Sequence, residues 1–265
     1  MNEKLTALRS LMKQRGIDAY LIPSADFHGS EYVNDYFKCR KFMSGFTGSA
    51  GTLVVTTDDA RLWTDGRYFL QARTQLEGSD IILMESGQEG VPTIMEYLEK
   101  AIGNGCLGFD GRVISSAEAI SYKDKFTIKA EEDFVDEIWA GRPEIMPSQI
   151  YSLDETITGE TSASKIHRIR EKMKEAKADW HLVSCLEDIA WMFNLRGRDV
   201  ANTPVFYGFA LISLNEVRLY VMDRQLDAVE GAEVLRRRDG PLHGPPHTPG
   251  HGAPDHHLPR GPLRG

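Results

Sequence analysis

Cysteine is scarce in this chain, with three residues among 265 (Cys39, Cys106 and Cys185). An odd number at such wide spacing builds no disulfide framework and suits a reducing compartment. No Cys-x-x-Cys pair occurs, which argues against a cysteine zinc site. No His-Glu-x-x-His sequence occurs either. No apolar run approaches the roughly 18 residues of a membrane span. Met1-Asn2-Glu3-Lys4 lacks the apolar core of a secretory leader. Positive charge is also short: 31 Lys and Arg stand against 39 Asp and Glu, for a net charge of -8. Nucleic-acid binding rests on clustered cations that neutralise phosphates. The expectations are a cytoplasmic protein with neither nucleic acid nor membrane as a partner.

A hydrophobic content of 41% is enough for packed cores. The length allows one large domain or two ordinary ones. Leu5, Leu8, Leu11 and Met12 recur at helical spacing before Gly16, which predicts a first helix. Ala19 to Pro23 reads as a buried strand. Gly51 to Thr56 and Arg61 to Thr64 flank Thr57-Asp58-Asp59-Ala60, a hairpin signal. Gly66 opens a helix, and Asp80 to Met84 is a strand. Ile94, Tyr97, Leu98 and Ala101 share one face of a helix over 93–102. Leu107 to Phe109 is a strand, Ser115 and Glu118 form a capping box, and Phe126 to Lys129 is a further strand. Alternating strands and helices with an antiparallel hairpin define an α/β class with a mixed sheet.

Gly141-Arg142-Pro143 and Pro147 break this pattern, which predicts a domain of 1–140 and a linker of 141–150. The order then restarts about 157 residues later. Ser162 or Ser164 caps a helix bearing Ile166, Ile169, Met173 and Ala176. Trp180 to Ser184 is a strand, Leu186 to Phe193 a helix, and Phe206 to Leu214 and Val217 to Met222 a strand pair. Arg218-Leu219-Tyr220 aligns with Arg61-Leu62-Trp63. A second, similar domain over 151–235 follows, shorter than the first. The incomplete domain should expose strand edges such as Phe209 to Leu214 and self-associate. Residues 236–265 hold seven of the twelve prolines and no Ile, Val, Phe, Tyr, Trp or Met. Such a segment buries too little apolar surface to offset its ordering entropy and reads as disordered. Its abrupt onset suggests out-of-frame translation or a truncated reading frame.

Chemistry is sparse. Gly45, Gly48 and Gly51 suggest a phosphate loop, but the loop enters a strand, not a helix N-terminus, so a structural turn is expected. Asp65 and Arg67 flank Gly66 at a strand end, where ligands often bind. The bland alternative has Asp65 capping and Arg67 pairing with a carboxylate. Arg67 is the best single candidate for touching a ligand. Asp26, His28 and Glu31 cluster, with a surface loop favoured over metal binding. Arg196, Arg198 and Asp199 suggest a loop salt bridge, or an anion site on the two arginines. His243, His247 and His251 recur every four residues, but interleaved Pro and Gly forbid a helix there.

Two segments together, SGFTGSAGTLVVT with LWTDGRYFLQA and DIAWMFNLRGRDV with Pro204-Val205-Phe206, resemble the three-domain Xaa-Pro aminopeptidases. The resemblance covers about residues 1 to 233. It implies two creatinase/prolidase N-terminal domains, each a ribonuclease-H-like mixed sheet flanked by helices, ahead of a catalytic domain holding two manganese ions. Such enzymes remove the residue preceding a penultimate proline by metal-ion catalysis and work as homodimers. The five metal ligands of that family have no counterpart in this sequence, so no catalytic residue, metal ligand or cofactor is expected in this chain. Arg67 and the loop Asn194 to Gly197, with Asn194 and Arg196, resemble surfaces facing the substrate entrance or a partner subunit. The chain therefore reads as the non-catalytic N-terminal part of such an enzyme, inactive alone. The alternative is a stand-alone binding or oligomerisation module of the same fold.

Overall fold

The computed structural model describes residues 3–131, 133–222 and 225. The disordered-tail reading of 236–265, and the three spaced histidines within it, lie outside the described residues. The described residues form one compact unit.

The first part runs α1 (Glu3–Arg15), β1 (Ala19–Pro23), α2 (Cys39–Ser44), β2 (Thr52–Thr56), β3 (Ala60–Thr64), α3 (Phe69–Gln75), β4 (Ile82–Glu85), α4 (Ile94–Ile102), β5 (Cys106–Phe109), α5 (Ser116–Lys123), β6 (Thr127–Lys129) and α6 (Phe134–Ile138). α1 ends because Gly16 turns left-handed at φ 63°, which lets the Ile17 amide return to the Met12 carbonyl at 2.9 Å. The expected capping box of Ser115 with Glu118 forms, and the structure adds a second, Thr93 with Glu96.

The six strands order as β4-β3-β2-β1-β5-β6, with β1, β2 and β3 antiparallel and the flanking pairs parallel. Strand alternation sends Tyr20, Ile22, Leu53 and Leu62 to one face, where Leu5, Leu8 and Met12 of α1 and Phe134 of α6 pack. Ala19, Leu21, Val54 and Trp63 go to the other, beneath Tyr97 and Leu98 of α4 and Tyr122 of α5. This is the mixed sheet flanked by helices that the alternating pattern predicts.

The second part runs β7 (Tyr151–Ser152), α7 (Glu155–Thr158), α8 (Ser162–Glu175), β8 (Trp180–Val183), α9 (Leu186–Phe193), β9 (Leu195–Arg196), β10 (Gly208–Ser213) and β11 (Val217–Val221). Its sheet has three antiparallel strands, β11-β10-β8. The repeat extends to register. β1 pairs Ala19 with Thr56 and β8 pairs Trp180 with Ser213. Thr56 and Ser213 each close their hairpin through the amide, onto Asp59 and Glu216 carbonyls at 2.9 Å.

Two expectations are corrected. Thr161, not Ser162 or Ser164, caps α8, its hydroxyl accepting from the Ser164 amide at 3.0 Å. Phe209 to Leu214 is not an exposed edge: its β10 residues lie between β8 and β11, and the outer edge on the α8 side belongs to β8.

Candidate functional site

The glycine loop after α2 binds no phosphate-like cradle, because its carbonyls point inward. Arg40 is buried, and its guanidinium donates to the Phe46 carbonyl at 2.6 Å and to that of Gly48. Its Nε donates to Ser24 Oγ at 2.8 Å. Burial lowers its pKa to about 10. Thr64 Oγ1 takes the Ala50 carbonyl at 2.7 Å, and the Ser24 amide takes that of Gly51 at 3.0 Å. A Cβ on Gly48 would sit 2.4 Å from the Phe46 ring and 2.8 Å from Tyr68, so only glycine fits. The structural-turn reading is the correct one.

Arg67 sits where β3 gives way to α3. Asp65 Oδ1 accepts from the Arg67 amide at 3.0 Å, and the guanidinium closes on both carboxylate oxygens at 2.9 Å. That fork holds the Asp65 carboxyl below the usual carboxylate range. Glu31 approaches Arg67 at 3.9 Å. The Arg67 side chain is exposed, at the surface with its charge already paired.

Asn194 and Arg196 do different work from Arg67 and share no hydrogen bond or ion pair with it among the described residues. Asn194 ends α9 in the left-handed region at φ 53°. Its Oδ1 accepts from Lys165 Nζ at 2.5 Å, and its Nδ2 donates to the Glu160 carbonyl at 2.9 Å. Lys165, 2% exposed, also donates to the Trp191 carbonyl at 2.8 Å. Arg196 Nη1 donates to the Ala190 carbonyl at 2.7 Å. Two cations therefore donate to carbonyls at the negative end of α9, which the Asn194 amide also reaches. Periodicity does not distinguish Lys165 from a solvated lysine; only the packing of α8 on α9 does.

The Asp26, His28 and Glu31 segment is a loop whose Glu31 is exposed, but Asp26 lies inside. Asp26 is 2% exposed and accepts from the amides of His28 at 2.9 Å and Ser30 at 3.0 Å. Its other oxygen takes the Tyr207 hydroxyl at 3.1 Å, from the second part of the chain. His28 Nδ1 meets the Ser184 carbonyl at 2.9 Å, and its ring lies 4.4 Å from that of Phe209. Glu31 stands apart, beside Arg67. Asp199 is likewise buried, and among the described residues it makes no loop salt bridge. It accepts from the Ser148 amide at 2.5 Å, the Tyr207 amide at 2.8 Å and Gln225 Nε2 at 2.6 Å. Phe37, Leu186, Ala190, Val200, Val205 and Tyr207 form a shared apolar cluster around these bonds. The segment after α6 is anchored too: Arg142 is buried between Asp133 at 2.5 Å and Asp136 at 3.0 Å, and 3.7 Å above the Tyr36 ring.

Among the described residues, no group of three or more His, Cys, Asp or Glu is placed to hold a metal ion. No helix among them is long and apolar enough to cross a membrane. What the geometry defines is a pair of related α/β modules, locked through buried polar contacts, whose functional-looking residues are mostly structural.

The Creatinase/Prolidase N-terminal domain family matches residues 4–138, and a second model of the same description matches 141–239. The chain belongs to the creatinase/prolidase N-terminal domain family. It is 40% identical over 233 residues to a probable Xaa-Pro aminopeptidase P of Laccaria bicolor, covering 85% of this chain and 36% of that protein. It is 40% identical over 247 residues to aminopeptidase P2 of Arabidopsis thaliana, covering 89% of this chain and 34% of that one. The crystal structure of an X-prolyl aminopeptidase from Caenorhabditis elegans, described as a cytosolic enzyme with a di-nuclear active site, superposes with a TM-score of 0.80 at 34% identity. That match covers 85% of this chain and 39% of the other. The chain thus spans little more than a third of the length of these relatives.

Proposed function

We propose that this chain is the non-catalytic N-terminal portion of a metal-dependent Xaa-Pro aminopeptidase. One observation carries the reading: high identity runs through nearly the whole globular part, yet corresponds to little more than a third of each relative. The proposal divides the chain into domains of 1–140 and 151–235 about a linker of 141–150. In the whole enzyme, peptides with penultimate proline are the substrate, two manganese ions supply the metal-bound nucleophile, and a cytoplasmic homodimer is the working form. The residues described in this chain do not fit that metal pair, so no step of the reaction is assigned to them. Arg67, exposed beside Glu31, is the position that faces the substrate entrance or partner subunit. Asn194 and Arg196, at the end of α9, are the other two positions assigned to a substrate-entrance or subunit surface.

The test is direct. Purified chain supplied with manganese is expected to release no residue preceding proline from a proline-penultimate peptide. Metal-dependent turnover that persists through repeated purification would overturn the reading. An alternative role as a binding module predicts saturable capture of such a peptide without cleavage, measurable by calorimetry.

A further inference from the structure

β1 and β5 lie side by side and parallel, and the chain leaves them in opposite directions, from β1 toward β2 and from β5 toward β6. In α/β sheets the crevice at such a divergence, at the carboxyl ends of the strands, is where small ligands bind. In this chain a side chain fills it. Arg142, from the segment after α6, has its side chain 5% exposed there, and all three of its guanidinium nitrogens are engaged. Nε donates to the Tyr36 carbonyl at 2.9 Å, Nη1 to Asp133 at 2.5 Å and Asp136 at 3.0 Å, and Nη2 to Cys39 Sγ at 3.0 Å. The guanidinium carbon stands 3.7 Å from the centre of the Tyr36 ring. Arg112 lies beside it and donates to Asp110 at 2.9 Å and to Asp133 at 2.8 Å. In this cluster three carboxylates face two guanidiniums, and without Arg142 they would face Arg112 alone. Next to Arg142, a cavity of about 20 Å³ bounded by Tyr20, Asp110, Asp133 and Cys39 has room for one water and nothing larger.

We propose that this crevice is a binding site for a guanidinium group, filled in cis by Arg142, and that filling it ties the segment after α6 to the part of the first module that touches the second. The site is shaped for a flat cation: an aromatic face to stack on, with a carbonyl and two carboxylates at its rim. A compact, strongly hydrated ammonium cannot stack on the ring and reach those partners at once. Tyr36, which Arg142 grips by both ring and carbonyl, lies between Asn34 and Phe37. Asn34 Nδ2 donates to the Asp199 carbonyl at 3.2 Å, and Phe37 belongs to the apolar cluster that includes Tyr207. The seated guanidinium thereby stiffens the side of the module interface that Asn34 and Phe37 supply. Cys39 reports on the seat, because the guanidinium lies against its sulfur. Burial pushes that thiol up to about 12, with Arg142 opposing the shift, so it is slow to react while covered. Failure of this proposal would leave the aminopeptidase reading untouched, since it uses none of the positions assigned to that enzyme's surface.

The full chain and its Arg142→Ala variant are to be compared by the rate at which each thiol reacts with an aromatic disulfide, the sites being told apart by peptide mass. Exposed Cys185 should react at once in both, and buried Cys106 should stay slow in both, which verifies that the variant is folded. Cys39 should be slow in the parent and at least about tenfold faster in Arg142→Ala, because its cover is gone. Methylguanidinium at up to about 20 mM, far below denaturing levels, should return Cys39 toward the parent rate and raise the melting temperature of the variant. A dissociation constant of order 10 mM is expected for so small a ligand. Methylammonium at the same concentration should do neither. Arg142→Lys, which keeps the charge and loses the fork, should speed Cys39 by a smaller factor and serves alone if Arg142→Ala does not fold. A Cys39 rate equal to the parent's in either variant would overturn the proposal. So would a failure of methylguanidinium to protect Cys39 in Arg142→Ala better than methylammonium does.

Discussion

Replacing Tyr207 by phenylalanine tests one of the bonds that join the two modules. The hydroxyl is buried with its residue 1% exposed, donates to Asp26 Oδ2 at 3.1 Å and accepts from the Asn34 amide at 3.3 Å. Burial first, and Asp26 second, push the Tyr207 hydroxyl well above its usual range, so it stays a proton donor. Phenylalanine keeps the ring contacts with Phe27 and Phe37 and removes only the oxygen. A buried carboxylate oxygen is then left without its donor, at a cost of about 1–3 kcal/mol. For a unit of this size, 1 kcal/mol moves the melting temperature by about 2–4 °C, so a drop of about 2–12 °C is expected by calorimetry. Asp26→Ala alone should cost more, since it also removes the acceptor for the His28 and Ser30 amides. The double variant should lose less than the sum of the two, by about 1 kcal/mol or more. Strict additivity, or a Tyr207→Phe melt within error of the parent, would refute the claim that this bond joins the modules.

Two further outcomes follow from the same packing. His28 is buried against Phe209 with Nε2 unpartnered, and that burial lowers its pKa below 6.5 despite Ser184 and Asp26. The unfolded chain therefore takes up a proton that the folded chain resists, so stability is full above about pH 6.5 and falls as pH drops from there toward the folded value. Thermal melts from about pH 7.5 to about pH 5.5 should show a steeper loss in the parent than in His28→Phe, and parallel curves would count against it. Gly48→Ala should destabilise by about 1–3 kcal/mol, because its Cβ meets the Phe46 and Tyr68 rings at 2.4 and 2.8 Å. A denaturant midpoint unchanged by that substitution would mean that the loop can relax, contrary to the packing around Arg40.

Element type and order were legible because local rules govern them. Ala19–Pro23 and Leu186–Phe193 form over the residues that periodicity picks out, and Ser115 caps as its spacing from Glu118 requires. The internal repeat was legible as well, down to the Arg61 and Arg218 equivalence, since both sit opposite the middle of a hairpin partner strand. The candidate site was legible only in part. Arg67 pairs with the carboxylate two residues away, as its neighbours suggest, because that contact is local.

The contacts that lock the modules were not legible. Asp26 and Tyr207 are 181 residues apart, and no spacing rule links them. Arg40, Lys165 and Asp199 carry the composition of surface residues, and are buried because neighbouring elements bring carbonyls or amides within reach of them. By itself the sequence determined the α/β class, the repeat and the membership of a family, since these follow from apolar periodicity and from motifs read in order. Only the tertiary structure decided which polar residues are interior and that the two modules meet as one unit. Those depend on which distant groups come within hydrogen-bond reach once the sheets are packed.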